Sequence, residues 1–143
     1  MISSRPAARD SLLFVYGTLR PFVGVPMGRW LQTVAVYAGP ARTAGRLYDL
    51  GPYPGMRPAR ARGELVRGDV YRIANPRVWR TLDRYEASGP AIRARFVRVP
   101  CVVAFARGRR RRAWVYAYRG NALRARRIAS GDYHRHLALR GRG

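Results

Sequence analysis

The sequence predicts an α+β domain built on a small mixed β-barrel or curled sheet with short flanking helices. Three observations carry this. Short runs rich in β-branched and aromatic residues recur with period-two alternation. Helical spacing is confined to two short stretches. Finally, 15 glycines and 10 prolines in 143 residues exceed the usual combined share of ~12%, which favours many turns between short elements over a helical bundle. One domain is expected at this length, spanning residues 12–133 between a polar tail (1–11) and a basic C-terminal tail (134–143).

The elements follow in order. Ser11 to Thr18 (SLLFVYGT) is a buried strand that Gly17 ends and Pro21 follows. Pro26 to Val34 carries Met27, Trp30 and Leu31 at helical spacing. Val36 to Leu50 reads as a bent strand or a strand pair, and Gly51-Pro-Tyr-Pro-Gly55 as a turn or loop. A basic loop, Arg57 to Gly63, leads to a strand over Val66 to Ile73. The clearest helix starts at Asn75-Pro76, a good N-cap followed by proline at the first helical position. Val78, Leu82 and Glu86 share one face of it, and Gly89-Pro90 stops it. Two strands close the pattern, Phe96 to Ala106 and Ala113 to Tyr118, with Pro100 hinting at an edge or bulge and Arg107 to Arg112 forming a basic hairpin tip. From Arg124 onward the chain is polar and arginine-rich, apart from Ser130-Gly-Asp-Tyr133.

Composition excludes several function classes. All 29 basic side chains are arginine, against 7 acids, for a formal charge of +22. Such a charge brings nucleic acid forward as a partner. Arginine, alanine, glycine and proline also share GC-rich codons, so the charge permits a polyanion without selecting one. The single Cys101 rules out an internal disulfide and a cysteine-based zinc cluster, and its place on an alternating apolar face reads as core. His134 and His136 could ligate a metal only from one strand; in a polar tail they read as solvated. No run approaches the ~18 apolar residues of a membrane span, and the N-terminus lacks a signal-peptide core. A cytoplasmic domain without metal or cofactor is expected.

Two features remain. Glu86 lies four residues after Leu82 and eight after Val78, which puts a carboxylate on the helix face that should be buried. Such a carboxylate either pairs with an arginine or serves as a general base, since desolvation raises carboxyl pKa values toward neutrality. Tyr16-Gly17-Thr18-Leu19 ends a buried strand. It is either a plain turn or a cradle of backbone N–H groups for a small anion.

Taken in order, Phe14-Val-Tyr-Gly-Thr-Leu-Arg20, Gly45-Arg-Leu-Tyr-Asp-Leu-Gly-Pro-Tyr-Pro-Gly55, Val66-Arg-Gly-Asp-Val-Tyr-Arg-Ile73, Leu82-Asp-Arg-Tyr-Glu86, Ala113-Trp-Val-Tyr-Ala-Tyr118 and Ser130-Gly-Asp-Tyr133 resemble the gamma-glutamylcyclotransferase-like family, in particular its small bacterial single-domain members. The resemblance implies a small mixed barrel and an intramolecular cyclisation. In that reaction the α-amino group of a γ-glutamyl amine or peptide attacks its own γ-carbonyl, giving 5-oxoproline and a released amine. It further implies that Tyr16, Gly17, Thr18 and Leu19 hold the glutamyl carboxylate, that Glu86 is the catalytic acid/base, and that Tyr118 lies in or near the pocket. Where the family has Gly-Glu-Val/Leu-Tyr, this chain has Gly68-Asp-Val-Tyr71. Two other readings stay open: a carboxylate-binding module without turnover, and an arginine-rich nucleic-acid-binding protein.

Overall fold

Residues 11–21, 23–87, 95–122 and 124–142, which the computed structural model describes, form eight strands and three helices. Their order is β1 (Ser11–Val15), α1 (Pro26–Val34), β2 (Val36–Ala44), β3 (Arg46–Asp49), β4 (Pro54–Arg57), β5 (Leu65–Ile73), α2 (Pro76–Ala87), β6 (Phe96–Phe105), β7 (Arg110–Tyr118), β8 (Arg126–Arg127) and α3 (Tyr133–Arg142). The N-terminal tail over 1–10 and the helix stop at Gly89-Pro90 lie outside the described residues. Ser11, where the expected tail ends and the expected first strand begins, is the first residue of β1.

Five strands close into a barrel in the order β1-β5-β2-β6-β7. Every pairing is antiparallel except the closing one, where β7 runs parallel to β1 with Leu13 opposite Trp114 and Phe14 opposite Val115. The mixed barrel expected from the strand pattern is the architecture observed. β1 is buried on both faces, because the period of two sends its residues into different cores. Leu12, Phe14 and Tyr16 join Val70, Val103 and Val115 in one cluster. Leu13 and Val15 join Ile73, Leu31 of α1 and Leu82 of α2 in a second cluster beneath the helices. That helix-facing layer is where the candidate site forms.

Gly68 shows how tightly the barrel wall is drawn. A Cβ there would lie 2.2 Å from the Val15 carbonyl oxygen and 2.7 Å from Cζ of Phe14. Gly68→Ala is expected to lower stability by about 3 kcal/mol through overpacking, read as a fall in the urea midpoint at unchanged m.

Three expectations need correction. Pro54 and Gly55, read as loop, belong to β4, which lies at the edge of a second sheet ordered β4-β3-β8. An edge tolerates proline because no ladder N–H is demanded of it, and β3 supplies the register, Asp49 opposite Pro54. The arginine tip is shorter than Arg107 to Arg112, since Arg110, Arg111 and Arg112 already pair with Ala104, Val103 and Val102. The stretch taken as a C-terminal tail from residue 134 is helix α3. Its His136 Nε2 lies 2.8 Å from Asp49 Oδ2, and Arg140 donates to the same oxygen at 3.2 Å. His136 is therefore docked against β3, not solvated, and Tyr133 reaches the barrel cluster.

Glu64, for which the sequence gives no role, ties several segments together. It accepts from Arg46 of β3, pairs with Arg127 of β8, and accepts from the Arg60 and Ala61 N–H groups. These bonds, that to Arg46 foremost, hold its carboxyl down at about 2. A depressed folded-state pKa contributes stability that is present above the unfolded value of ~4.3 and is lost as pH falls toward the folded one. The urea midpoint is expected to fall between pH 5 and pH 2, and Glu64→Gln, weaker at pH 6, is expected to lose less over that window. Equal slopes for the two proteins would remove Glu64 from the acid limb.

Candidate active site

The chain leaves β1 at Val15 and turns at once, with the Arg20 N–H donating to the Gly17 carbonyl at 3.0 Å. The turn is held at its first residue. Tyr16 donates its hydroxyl proton to the Tyr116 carbonyl at 2.7 Å and accepts the Met56 N–H at 3.1 Å, so one phenol joins β1, β4 and β7. Burial drives that phenol well above its ordinary pKa against the opposing Met56 bond, and the charge of Glu86 pushes the same way. Tyr16 is a neutral structural donor at any ordinary pH. Gly17 faces the Pro54 ring so closely that a Cβ would meet Cγ at 2.7 Å. No larger residue fits there while β4 stays in place.

The turn is also held at its far end. Arg20 is buried, and its Nε donates to Asp69 Oδ2 at 2.8 Å while an Nη donates to Asp132 Oδ1 at 3.0 Å. Tyr37 of β2 donates to the other Asp69 oxygen at 2.5 Å. The Gly68-Asp-Val-Tyr71 acid and the Ser130-Gly-Asp-Tyr133 acid thus meet on one guanidinium just past Leu19. His134 lies beside this cluster; burial and the Arg20 charge lower its pKa.

On the opposite wall stands α2. Asn75 caps it by accepting the Arg77 N–H at 2.9 Å, and Val78, Leu82 and Glu86 are all buried, Glu86 at 7% exposure. One turn before Glu86, Asp83 accepts a hydrogen bond of 2.6 Å from the Tyr116 hydroxyl and two from Arg98. The Arg98 guanidinium lies over the Trp79 and Trp114 rings, 4.6 and 5.0 Å from their centroids. Desolvation and the bond to Asp83 raise the Tyr116 pKa, with Glu86 adding to the effect. This lattice sets the rotation of α2, and with it where Glu86 points.

Between the two walls lies a small cleft, partly open to solvent. Tyr16, Gly17, Thr18, Leu19 and Glu86 all line it. Tyr118 does not. It packs against Phe96, 5.3 Å between ring centroids, behind the lining. Tyr116, two residues earlier on the same strand face, occupies the wall together with Phe96 and Tyr53. Alternation along Ala113 to Tyr118 puts Trp114, Tyr116 and Tyr118 on one side of the strand, so Tyr116 is within reach of a sequence reading. Tyr53 and Phe96 carried no signal beyond being aromatic. Among the described residues no group of three His, Cys, Asp or Glu side chains could hold a metal. Cys101 lies elsewhere, packed against the barrel cluster, where burial pushes its thiol up to about 11.

A family model described as gamma-glutamyl cyclotransferase, AIG2-like, matches residues 13–135. Three solved structures share the fold. YkqA from Bacillus subtilis superposes with a TM-score of 0.73 at 24% identity, over 94% of this chain and 43% of its own; the chain thus spans less than half of that protein. A protein of Pyrococcus horikoshii gives 0.66 at 20% identity, over 92% and 97%. An AIG2-like protein from Mus musculus gives 0.65 at 22% identity, over 81% and 82%. No curated protein matches the sequence.

Proposed function

We propose that this chain, which belongs to the AIG2-like gamma-glutamyl cyclotransferase family, converts a γ-glutamyl amine or γ-glutamyl peptide to 5-oxoproline and a free amine. The observation that carries the reading is the placement of Glu86 across one cleft from the Tyr16–Leu19 turn. The substrate's α-carboxylate rests on backbone N–H groups of Gly17 to Leu19, a site a glycine-containing turn is suited to form. That grip folds the glutamyl chain so that its α-amino nitrogen faces its own γ-carbonyl carbon.

An α-amino group of pKa near 8 is mostly protonated at neutral pH. Glu86 takes one of its protons, and the freed lone pair forms the ring C–N bond while the carbonyl electrons move onto oxygen. As the oxygen electrons re-form the carbonyl and the original C–N bond breaks, the same carboxyl returns its proton to the leaving nitrogen, and the second proton of the ring nitrogen passes to the freed amine, which departs as an ammonium. Atoms and charge balance without a second reactant. Because nucleophile and electrophile are in one molecule, most of the assistance comes from holding a near-attack geometry. Tyr53, Phe96 and Tyr116 wall the cleft against bulk water. Among the described residues no helix is long and apolar enough to cross a membrane, and the reading is of a small-molecule reaction in the cytoplasm.

The test is 5-oxoproline release across a panel of γ-glutamyl amines, γ-glutamyl amino acids and a γ-glutamyl dipeptide. At least one is expected to turn over. Ligand binding in the cleft with no product from any of them would replace the enzyme with a carboxylate-binding module.

A further inference from the structure

We propose that the tip of the β6–β7 hairpin and the groove beside it bind single-stranded nucleic acid. No residue lines both this surface and the cyclotransferase cleft, and the tip stands well away from the latter. β6 runs from Phe96, which lines that cleft, to Phe105, nine residue steps or about 30 Å along the strand.

The hairpin turns through Arg107 and Gly108, both in the left-handed region at φ 69° and 79°, and the Phe105 N–H closes it on the Arg109 carbonyl at 2.7 Å. Every residue from Ala106 to Arg112 is exposed, and five of these seven are arginine. No acid lies between Phe96 and Tyr118. Nor do the other carboxylates among the described residues serve the hairpin. Glu86 lines the cleft, and Asp49, Glu64, Asp69, Asp83 and Asp132 are each bound to a guanidinium elsewhere, namely those of Arg140, of Arg46 and Arg127, of Arg20, of Arg98, and again of Arg20. Among the described residues this end of the hairpin is therefore a concentration of like charge with no carboxylate paired to it.

Its distribution selects the partner. Side chains on one face of a strand repeat every ~6.7 Å, so Arg110 and Arg112 on one face, and Arg109 and Arg111 on the other, form rows with a spacing close to that of successive phosphates on an extended strand. A single carboxylate or phosphate can engage only one or two of them. From the tip a groove open to solvent runs back along the barrel, its lining including Arg42, Met56, Pro58, Val99, Val102 and Arg110. An apolar floor between guanidinium groups receives unpaired bases, and arginine planes stack on them. A duplex keeps its bases stacked inside and has no use for such a floor, which favours the single strand.

The experiment is fluorescence anisotropy with a labelled 12-nucleotide oligo-dT and the full chain. Replacing Arg109, Arg110, Arg111 and Arg112 together with glutamine is expected to weaken binding about 10-fold or more and to flatten the log K against log salt slope by about 2 to 3, at roughly 0.7 per phosphate contact on a single strand. A control with the same charge loss, Arg60, Arg62, Arg77 and Arg80 to glutamine, is expected to bind like wild type. Should the hairpin variant fold poorly, Arg110→Gln with Arg112→Gln removes one of the two rows and is expected to give half the effect. Equal weakening in variant and control, tighter binding to a 12-base-pair duplex, or equal displacement by heparin and unlabelled oligonucleotide would each overturn the proposal.

Discussion

Glu86→Gln is expected to reduce 5-oxoproline formation by about 10²- to 10⁴-fold, almost entirely in kcat. Glutamine matches the buried side chain in shape and keeps hydrogen-bonding capacity, so the packing of α2 on Val78 and Leu82 is retained. What it loses is the ability to take a proton from the substrate ammonium and return it to the leaving nitrogen. Because the turn from Gly17 to Leu19 is untouched, KM is expected to move little, and this split distinguishes lost proton transfer from a damaged pocket. Glu86→Asp, one methylene shorter, is expected to fall between the two. Undiminished kcat in Glu86→Gln would remove Glu86 from the mechanism, whereas a matched rise in KM with normal kcat would make it a binding residue. Neither result bears on the nucleic-acid surface at the far end of β6.

Arg20→Met is expected to cost about 3–5 kcal/mol of stability and to raise KM in the protein that remains folded. Arg20 is the cation on which Asp69 and Asp132 converge, and it is 8% exposed. Removing it leaves two carboxylates, one of them buried, facing each other without compensation. Tyr37 continues to donate to Asp69, but one hydroxyl does not offset a buried charge. Arg20→Lys retains the charge yet lacks the planar fork that bonds two carboxylates at once, and is expected to recover only part of the loss. Since the same guanidinium fixes the end of the Tyr16–Leu19 turn, lost stability and raised KM should travel together across these variants. Stability measured by urea unfolding within about 1 kcal/mol of wild type for Arg20→Met would mean that the turn is held by other means.

Much of the fold was legible in the sequence. Alternation marked β1, β5, β6 and β7; Asn75-Pro76 and the Val78–Leu82 spacing marked α2. What escaped depends on partners distant in the chain. β4 reads as loop because proline and glycine look like breakers until β3 supplies a register and the edge position removes the demand for an N–H donor. β8 has two residues, too few for any period. α3 has little amphipathic signal and is held by Asp49, 87 residues before His136. At the site, Glu86 stood out because acids are rare and this one shares a face with apolar residues. The union of Arg20 with Asp132, 112 positions apart, has no local signature. Tyr116 and Tyr118 were equivalent by alternation, and only the strand's approach to α2 separates them.

With 29 arginines against 7 acids the molecule is a polycation, and among the described residues five carboxylates are bound to guanidinium groups. Asp49, Glu64 and Asp132 are held ionised below their ordinary range; for Asp49 and Asp132 the bonds and charges around them outweigh burial, which acts the other way. The phenols of Tyr16, Tyr37, Tyr71, Tyr116 and Tyr133 are pushed upward, burial foremost. Every basic charge is a guanidinium that does not give up its proton in water. Against 29 such charges the few remaining groups change the total little across the physiological range. Electrophoretic mobility and ion-exchange retention near neutrality then answer far more to ionic strength than to pH, and salt is the main variable that sets how this protein meets its surroundings.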